Sequence, residues 1–307
     1  MKTVVFAYHN MGITGLNALL DDGWQIQAIF SHADDPDETQ WFASVSNWAR
    51  INQIPVYLPD NINDPEWVAL IKNLAPDVIF SFYYRKMLSP DILALPPRGA
   101  YNLHGSLLPA YRGRCPVNWV LIHGETRTGV TLHYMTEKPD AGDIIAQKET
   151  LIEEDDTAQT LFQKMCCSAA IMMAEILPRI REGSAPRYPQ DLSAGSYYGG
   201  RRPEDGRIDW TWPTLRIYNL IRAVTHPYPG AFTHLPNGTK MMIWWGQPVA
   251  LAHDLRPGLL EIGEGEAYIA AAGNGKIRLI EIEIDGCRLK DKEIALYLGK
   301  KEGIVLT

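Results

Sequence analysis

Cysteine is scarce, with four in 307 residues. Cys115, Cys166, Cys167 and Cys287 form no CxxC pair, and adjacent Cys166 and Cys167 lie in an apolar helical run. That spacing argues against a disulfide framework and against a zinc site, so no metal is expected and a reducing compartment fits. Positive charge is also short. Lys and Arg number 29 against 36 Asp and Glu, a net charge of −7. Covering a polyanion takes clustered Lys and Arg in excess, so no nucleic-acid partner is expected. A small anion held by one or two arginines stays compatible with the balance. The sequence shows no apolar run long enough to span a bilayer. Its opening, Met1 to Phe6, runs straight into a strand and lacks the long apolar region and small-residue cleavage site of a signal peptide. No membrane partner is therefore expected, and the cytoplasm is the expected location. The GxGxxG fingerprint is missing too. Gly12 and Gly15 follow the first strand, but no third glycine stands at the required spacing, which argues against a nicotinamide dinucleotide site. Internal repeats and low-complexity tracts are absent.

What is present is an ordinary globular mixture, 46% hydrophobic and 21% charged, at a length that suggests about two domains. Thr3 to Ala7, Ile26 to Phe30, Val56 to Leu58 and Asp77 to Ser81 read as buried strands. Helical patterns alternate with them: one through Leu16, Leu19 and Leu20, one from Trp41 to Ile51 after an acidic loop at Ala33 to Thr39, and one to Leu74 with Asp64 as cap and Pro65 at its start. Gly99 to Leu103 reads as the next strand. Such alternation implies a doubly wound, mostly parallel, Rossmann-like α/β sheet. A helix is expected from Cys115 to His123, then strands at Gly129 to Tyr134 and Ile144 to Gln147. A long helix capped by Asp155 or Asp156 should bury Leu161, Met165, Ala169, Met172 and Ile176. Glu182 to Arg202 turns to Gly, Ser, Pro and Arg and reads as a connection between domains. The expected division is 1–189, a linker 190–203, and 204–307. The last part should hold a helix near Thr214 to Thr225. Short strands should follow at Ala231 to His234, Met241 to Trp245, Ala267 to Ala270 and Lys276 to Glu283, with a turn at Asn237 and Gly238. Closely spaced short strands suggest a small barrel.

Between Asn102 and Arg114 the sequence carries a dense set of polar groups. Asn102 and His104 are two apart at a strand end and so share a face. Gly105 lets the backbone turn, and Pro109 forbids a helix. Arg112 and Arg114 bracket Gly113, which suits a polar wall around an anion or a ring system. On spacing alone, a capped loop with one hydrogen-bonded histidine explains the stretch equally well. Ligands of such sheets gather beyond the strand C-terminal ends at a switch point. Phe82 to Leu88 and the pair Asn102 and His104 leave neighbouring strands into one crevice. His9, just past the first strand, is a candidate substrate contact. His32, His123, His133, His226, His234 and His253 show no ligand spacing and read as structural. Arg85 reads as a structural ion pair or as a site residue. Arg201 and Arg202 could grip a diphosphate with forked donors, or simply lie in a solvated linker.

The stretch from Asn102 to Pro109, followed by Tyr111 to Gly113, resembles the active-site signature of formyltransferases that use 10-formyltetrahydrofolate. Asp140 to Ile144, Arg201 to Gly206 with Ile208 to Trp210, Asn219 to Ala223 and Pro227 to Phe232 resemble further family motifs, in the family's order. The resemblance covers nearly the whole chain. It implies a C-terminal open β-barrel, OB-like, and 10-formyltetrahydrofolate as co-substrate. It implies Asn102, His104 and Asp140 as catalytic residues. It also implies folate contacts at Lys86, Met87 and Leu88 through their backbone, at Arg114, and along Thr136, Glu137, Lys138, Pro139 and Asp140. The chemistry suits those types: a donor N–H steadies charge on the formyl oxygen, and an acid protonates the leaving nitrogen. A carboxylate near His104 should favour its cation.

Within the family, the acceptor is expected to be the amine of a UDP-amino sugar, UDP-4-amino-4-deoxy-L-arabinose. Segments carrying that likeness are Ala7 to Gly12, Phe80 to Arg85, Asn118 to Leu121 with Gly124 and Glu125, and Gly200 to Arg202. Such a role implies lipid A modification and polymyxin resistance. The alternatives are methionyl-tRNA formylation, disfavoured by an acidic loop where a basic insertion usually stands, and hydrolysis of the formyl-folate. No dinucleotide-binding domain follows Thr307, so no dehydrogenase partner activity is expected in this chain. A homo-oligomer is compatible with the sequence.

Overall fold

The computed structural model describes residues 1–33, 41–250, 255–273 and 275–307. The acidic loop beyond Ala33 and His253 lie outside the described residues. The chain separates into two units. One comprises Met1–Pro116, Arg127–Leu151 and Phe162–Gly199; the other comprises Val117–Thr126, Ile152–Leu161 and Gly200–Thr307.

In chain order the elements are β1 (Lys2–Ala7), α1 (His9–Asp21), β2 (Gln25–Phe30), α2 (Val45–Ile51), β3 (Val56–Tyr57), α3 (Pro65–Leu74), β4 (Val78–Phe82), α4 (Pro90–Leu93), β5 (Ala100–His104) and β6 (Arg112–Gly113). Then come α5 (Pro116–Ile122), β7 (Arg127–Tyr134), β8 (Ile144–Leu151), α6 (Ala158–Glu182) and β9 (Tyr197–Tyr198). The first unit is built on a seven-stranded sheet in the order β3-β2-β1-β4-β5-β7-β8. The five strands from β3 to β5 are parallel, and β7 and β8 add antiparallel to that edge. Central β1 and β4 are buried along their apolar runs, as strands covered on both faces must be. Phe6 stacks on Phe30 of β2 at 5.2 Å, and each such buried ring contributes roughly 2–3 kcal/mol of transfer free energy. Gly15 lets α1 approach the sheet, because a Cβ there would overlap the Phe82 ring.

Four local expectations need correction. The helix expected from Trp41 starts at Val45, where Ser44 is the cap and its Oγ accepts the Asn47 N–H at 3.3 Å. The cap of α6 is Thr157, whose Oγ1 accepts the Thr160 N–H at 3.2 Å. Asp156 instead closes the preceding turn, its carboxylate taking the Glu153 N–H at 2.8 Å and the Thr160 hydroxyl at 2.9 Å. By length and composition α6 is apolar enough to cross a membrane, contrary to the sequence reading. Its stripe of Leu161, Met165, Ala169, Met172 and Ile176 is buried within the fold. Asp64 holds the N-cap position of α3, but its side chain accepts from Asn61 instead of capping.

The second unit carries α7 (Thr214–Val224), β10 (Ala231–His234), β11 (Lys240–Ala250), β12 (Leu260–Gly263), β13 (Glu266–Ala271), β14 (Gly275–Ile284), β15 (Cys287–Lys290) and α8 (Lys292–Leu298). Its strands form an antiparallel sheet in the order β10-β11-β14-β13-β12, and β15 pairs with β14. Among the described residues no ladder joins β10 to β12, so the sheet stays open. Ile217 and Ile221 of α7, Met241, Ile243, Leu279 and Ile282 of the sheet, and Ile294 and Leu298 of α8 are all buried. Strands β12 and β15 and helix α8 had no counterpart in the sequence reading. Both strands have only four residues and mixed polarity, which leaves no period to detect.

Candidate active site

The site lies wholly in the first unit. Strand β5 delivers Asn102 and His104 on one face, and β4 beside it aligns Ser81 with Asn102. Asp140 comes from the β7–β8 connection with φ 50, a left-handed value that aspartate tolerates better than most residues. The structure brings the three together around one carboxylate. Asp140 Oδ1 lies 3.5 Å from His104 Nδ1 and 3.4 Å from Asn102 Nδ2. A second histidine, His133, places its Nε2 3.5 Å from the same oxygen and 3.1 Å from Asn102 Nδ2. Asp140 Oδ2 accepts the Gly113 N–H at 2.9 Å.

These contacts assign protons by elimination. The Asp140 carboxylate only accepts, so the Asn102 amide turns its nitrogen toward it. That NH2 then faces His133 Nε2, which must accept; His133 donates Nδ1–H to the Tyr134 carbonyl at 2.8 Å. His104 Nε2 faces the Tyr111 carbonyl at 2.8 Å and so carries hydrogen. In the neutral ring the lone pair then sits on Nδ1, toward Asp140.

Burial pushes the pKa of His104 below the ordinary imidazole value. The Asp140 carboxylate and the Tyr111 carbonyl push upward, and His133 pushes down. The carboxylate therefore acts in the expected direction, but the net shift is opposite to the expectation, because desolvation of a buried ring disfavours its charge more strongly. Burial would likewise raise Asp140; His104, His133 and the Gly113 N–H outweigh it and hold the carboxyl at about 2. The two directions draw on opposite charge states of His104, and the His133 contribution to Asp140 requires an Nε2–H where the Asn102 contact makes Nε2 an acceptor. The ionised Asp140 is the firmer of the two, since the Gly113 and Asn102 donors stabilise it whatever charge His104 carries.

Other candidates fall elsewhere. Leu88 is buried in the core, while Lys86 and Met87 are exposed. Lys86 Nζ donates to the carbonyls of Pro59 and Asp60, and the Met87 carbonyl accepts from Asn63 at 3.0 Å. The Arg114 side chain is exposed, and the Arg114 backbone N–H donates to the Tyr198 carbonyl at 2.9 Å. Thr136, Glu137 and Lys138 form an exposed turn closed by Thr136 Oγ1 on the Lys138 carbonyl at 2.9 Å, and half-buried Pro139 leads into Asp140. His9 is buried, its ring stacked on Phe42 at 4.0 Å and edged by Trp41 and Phe162. Burial first, and Arg85 second, lower its pKa to about 3, so it is neutral at physiological pH. Arg85 itself lies over the Tyr8 ring at 4.5 Å. Arg201 belongs to the second unit, where it lies over Trp119 at 4.8 Å and donates to the Asp205 carbonyl at 2.8 Å.

Two contributors escaped the sequence reading. His133 is the cross-strand partner of Asn102 in the β5–β7 ladder, and directly opposed residues share a face. The signal was the pairing register, which no single strand displays. The stretch read as a linker supplies the other. Gln190 Nε2 donates to the Asp140 and Gly142 carbonyls at 3.2 and 2.5 Å. Strand β9 pairs with β6, in the loop that follows Asn102 and His104. A segment rich in Gly, Ser and Tyr carries no period, so its docking was invisible.

Interior strand β5 thus presents an amide and an imidazole, and the β7–β8 connection sets a carboxylate against both. The sequence matches the family described as formyl transferase over residues 1–177, and formyl transferase, C-terminal domain, over residues 201–293. The chain belongs to the formyl transferase family. Solved structures share its fold. An N-formyltransferase from Helicobacter canadensis, in complex with folinic acid and dTDP-3-aminofucose, superposes with TM-score 0.69 at 20% identity over 91% of this chain and 98% of its own. WlaRD, a sugar 3N-formyl transferase solved with dTDP and 5-N-formyl-THF, gives 0.66 at 20% identity over 91% and 97%. A sugar N-formyltransferase from Shewanella sp. FDAARGOS_354 gives 0.65 at 19% over 80% and 97%.

Proposed function

We propose that this chain transfers the formyl group of 10-formyltetrahydrofolate to the amine of a UDP-amino sugar, UDP-4-amino-4-deoxy-L-arabinose. The observation that carries the chemistry is the convergence of Asn102 and His104 on the half-buried Asp140 carboxylate in a formyl transferase chain. For the acceptor, the support is the likeness to the formyltransferase domain of the bifunctional polymyxin-resistance protein, the net charge of −7, and the ligands of two proteins of the same fold, dTDP-3-aminofucose in one and dTDP in the other.

Formyl-folate supplies the formyl carbon and leaves as tetrahydrofolate once its nitrogen is protonated. The amine nitrogen bonds to that carbon as the bond to the folate nitrogen breaks, and one proton must pass from amine to folate. Asn102 supplies an N–H to the formyl oxygen as charge builds there, worth roughly 3 kcal/mol for one such donor. That N–H now reaches toward Asp140 at 3.4 Å, a contact weak enough to exchange. His104 receives the amine proton at Nδ1, where its lone pair sits, and returns it to the leaving nitrogen. Asp140 stabilises the imidazolium while it exists. A neutral resting His104, which burial favours, is the form this route needs.

The test incubates the protein with 10-formyltetrahydrofolate and UDP-4-amino-4-deoxy-L-arabinose, with charged initiator tRNA, or with water alone. Formamido-sugar product in the first tube alone is expected. Formyl-methionyl-tRNA would move the acceptor to tRNA, and formate release without amine would make the protein a hydrolase.

A further inference from the structure

Three residues of the loop between β5 and α5 sit in the left-handed region: Tyr111 with φ 58, Gly113 with φ 97 and Cys115 with φ 54. Two of them are not glycine, so something outside the loop must hold them there. That support comes from the segment around β9. Ser196 Oγ accepts the Tyr111 N–H at 2.9 Å, and the Ser196 carbonyl accepts the Arg112 N–H at 3.0 Å. The Ser196 N–H donates back to the Pro109 carbonyl at 3.3 Å. Arg112 and Gly113 pair with Tyr197 and Tyr198, and the Tyr111 ring stacks on Tyr198 at 5.2 Å. The same short strand faces the catalytic groups from its other end. The Tyr111 carbonyl accepts from His104 Nε2–H, and the Gly113 N–H donates to Asp140 Oδ2.

We infer that Ser196 is a positioning residue for His104. Its hydroxyl holds the N–H on one side of the Tyr111 Cα while its carbonyl holds the Arg112 N–H on the other, and the two together fix Tyr111 in the left-handed turn that aims the Tyr111 carbonyl at Nε2. That carbonyl keeps the resting proton on Nε2 and so leaves the Nδ1 lone pair on the Asp140 side. Losing the hydroxyl leaves only the Arg112 N–H bond to hold the turn; the Tyr111 carbonyl loosens against Nε2, and the proton then distributes over both nitrogens. Ser196 touches no reacting atom in this account. The catalytic consequence rests on His104 acting as the proton carrier proposed above; the structural consequence does not.

The experiment compares the intact wild-type protein with Ser196→Ala and Ser196→Thr. Imidazole 15N spectra are the first readout, with the His104 signals assigned by their loss in His104→Gln. Wild type and Ser196→Thr should show the Nε2–H tautomer, and Ser196→Ala a mixture. The second readout is kinetic. In Ser196→Ala, kcat should fall roughly ten- to hundredfold, as small misplacements of a catalytic group do. Its KM values for folate and amine should stay within about twofold, since uniform binding is untouched. An unchanged tautomer in Ser196→Ala, or a Ser196→Thr that behaves like Ser196→Ala, overturns the inference. A wild type that forms no product while the tautomer shifts as expected overturns the formyl-transfer reading and leaves the positioning intact.

Discussion

His133 Nε2 sits 3.1 Å from Asn102 Nδ2 across the β5–β7 ladder, and it is the acceptor that fixes the Asn102 amide. A flipped amide would set its oxygen against the Asp140 carboxylate. His133 and Asp140 together therefore orient the Asn102 N–H that we propose as donor to the formyl oxygen. His133→Ala should keep the fold and lower kcat roughly tenfold through a loosened amide. Asn102→Ala should lower kcat about a hundred- to thousandfold, as loss of one oxyanion donor does. Steady-state kinetics on both, with circular dichroism to confirm folding, checks the order.

Asp140 links the site to acid stability. Its folded pKa of about 2 lies below the ordinary 3.8. A carboxyl depressed on folding contributes stability that is complete above the unfolded value and is lost as pH falls through the folded one. The contribution, roughly 2 kcal/mol for such a difference, should disappear between about pH 4 and pH 2. Asp140→Asn should lack that component and lose turnover at neutral pH. Urea unfolding at stepped pH measures it, and an unaltered acid limb in the variant would contradict the depressed Asp140 carboxyl.

His9 predicts a different window. Its pKa is about 3 when folded against 6.5 in the open chain. The unfolded state therefore binds the proton first, and stability falls as pH drops from 6.5 toward 3. His9→Phe keeps a ring among Phe42, Trp41 and Phe162 and removes the titration. The melting temperature of the variant should change less between pH 7 and pH 5 than that of wild type. Thermal melts at the two pH values test it.

Gln190 holds the backbone carbonyls of Asp140 and Gly142. Gln190→Leu strands both, at a cost of about 1–3 kcal/mol for each buried acceptor left unpaired. The variant should melt lower and turn over more slowly, with KM for folate raised little. A loss confined to KM would place Gln190 at a substrate instead.

Much of this architecture follows from local pattern. The continuous apolar runs of β1 and β4, the helical stripe from Leu161 to Ile176 and the turn at Asn237 and Gly238 needed no tertiary information. Period and turn chemistry are written residue by residue. Asn102 and His104 likewise announced a shared face through their spacing of two. Segments with no period were opaque: the four-residue strands β12 and β15, and the strap from Gln190 to Tyr198.

Sequence alone determined which groups could do chemistry and on which strand they stand, because alternation and motif are properties of neighbours along the chain. Only the tertiary structure decided that His133 joins Asn102, that Asp140 folds back onto both, and that a polar segment from far along the chain braces the loop. Those depend on strand register and on long-range backbone hydrogen bonds. The charge of His104 was decided there as well, since desolvation reflects every atom packed around the ring and not the one carboxylate the motif supplies.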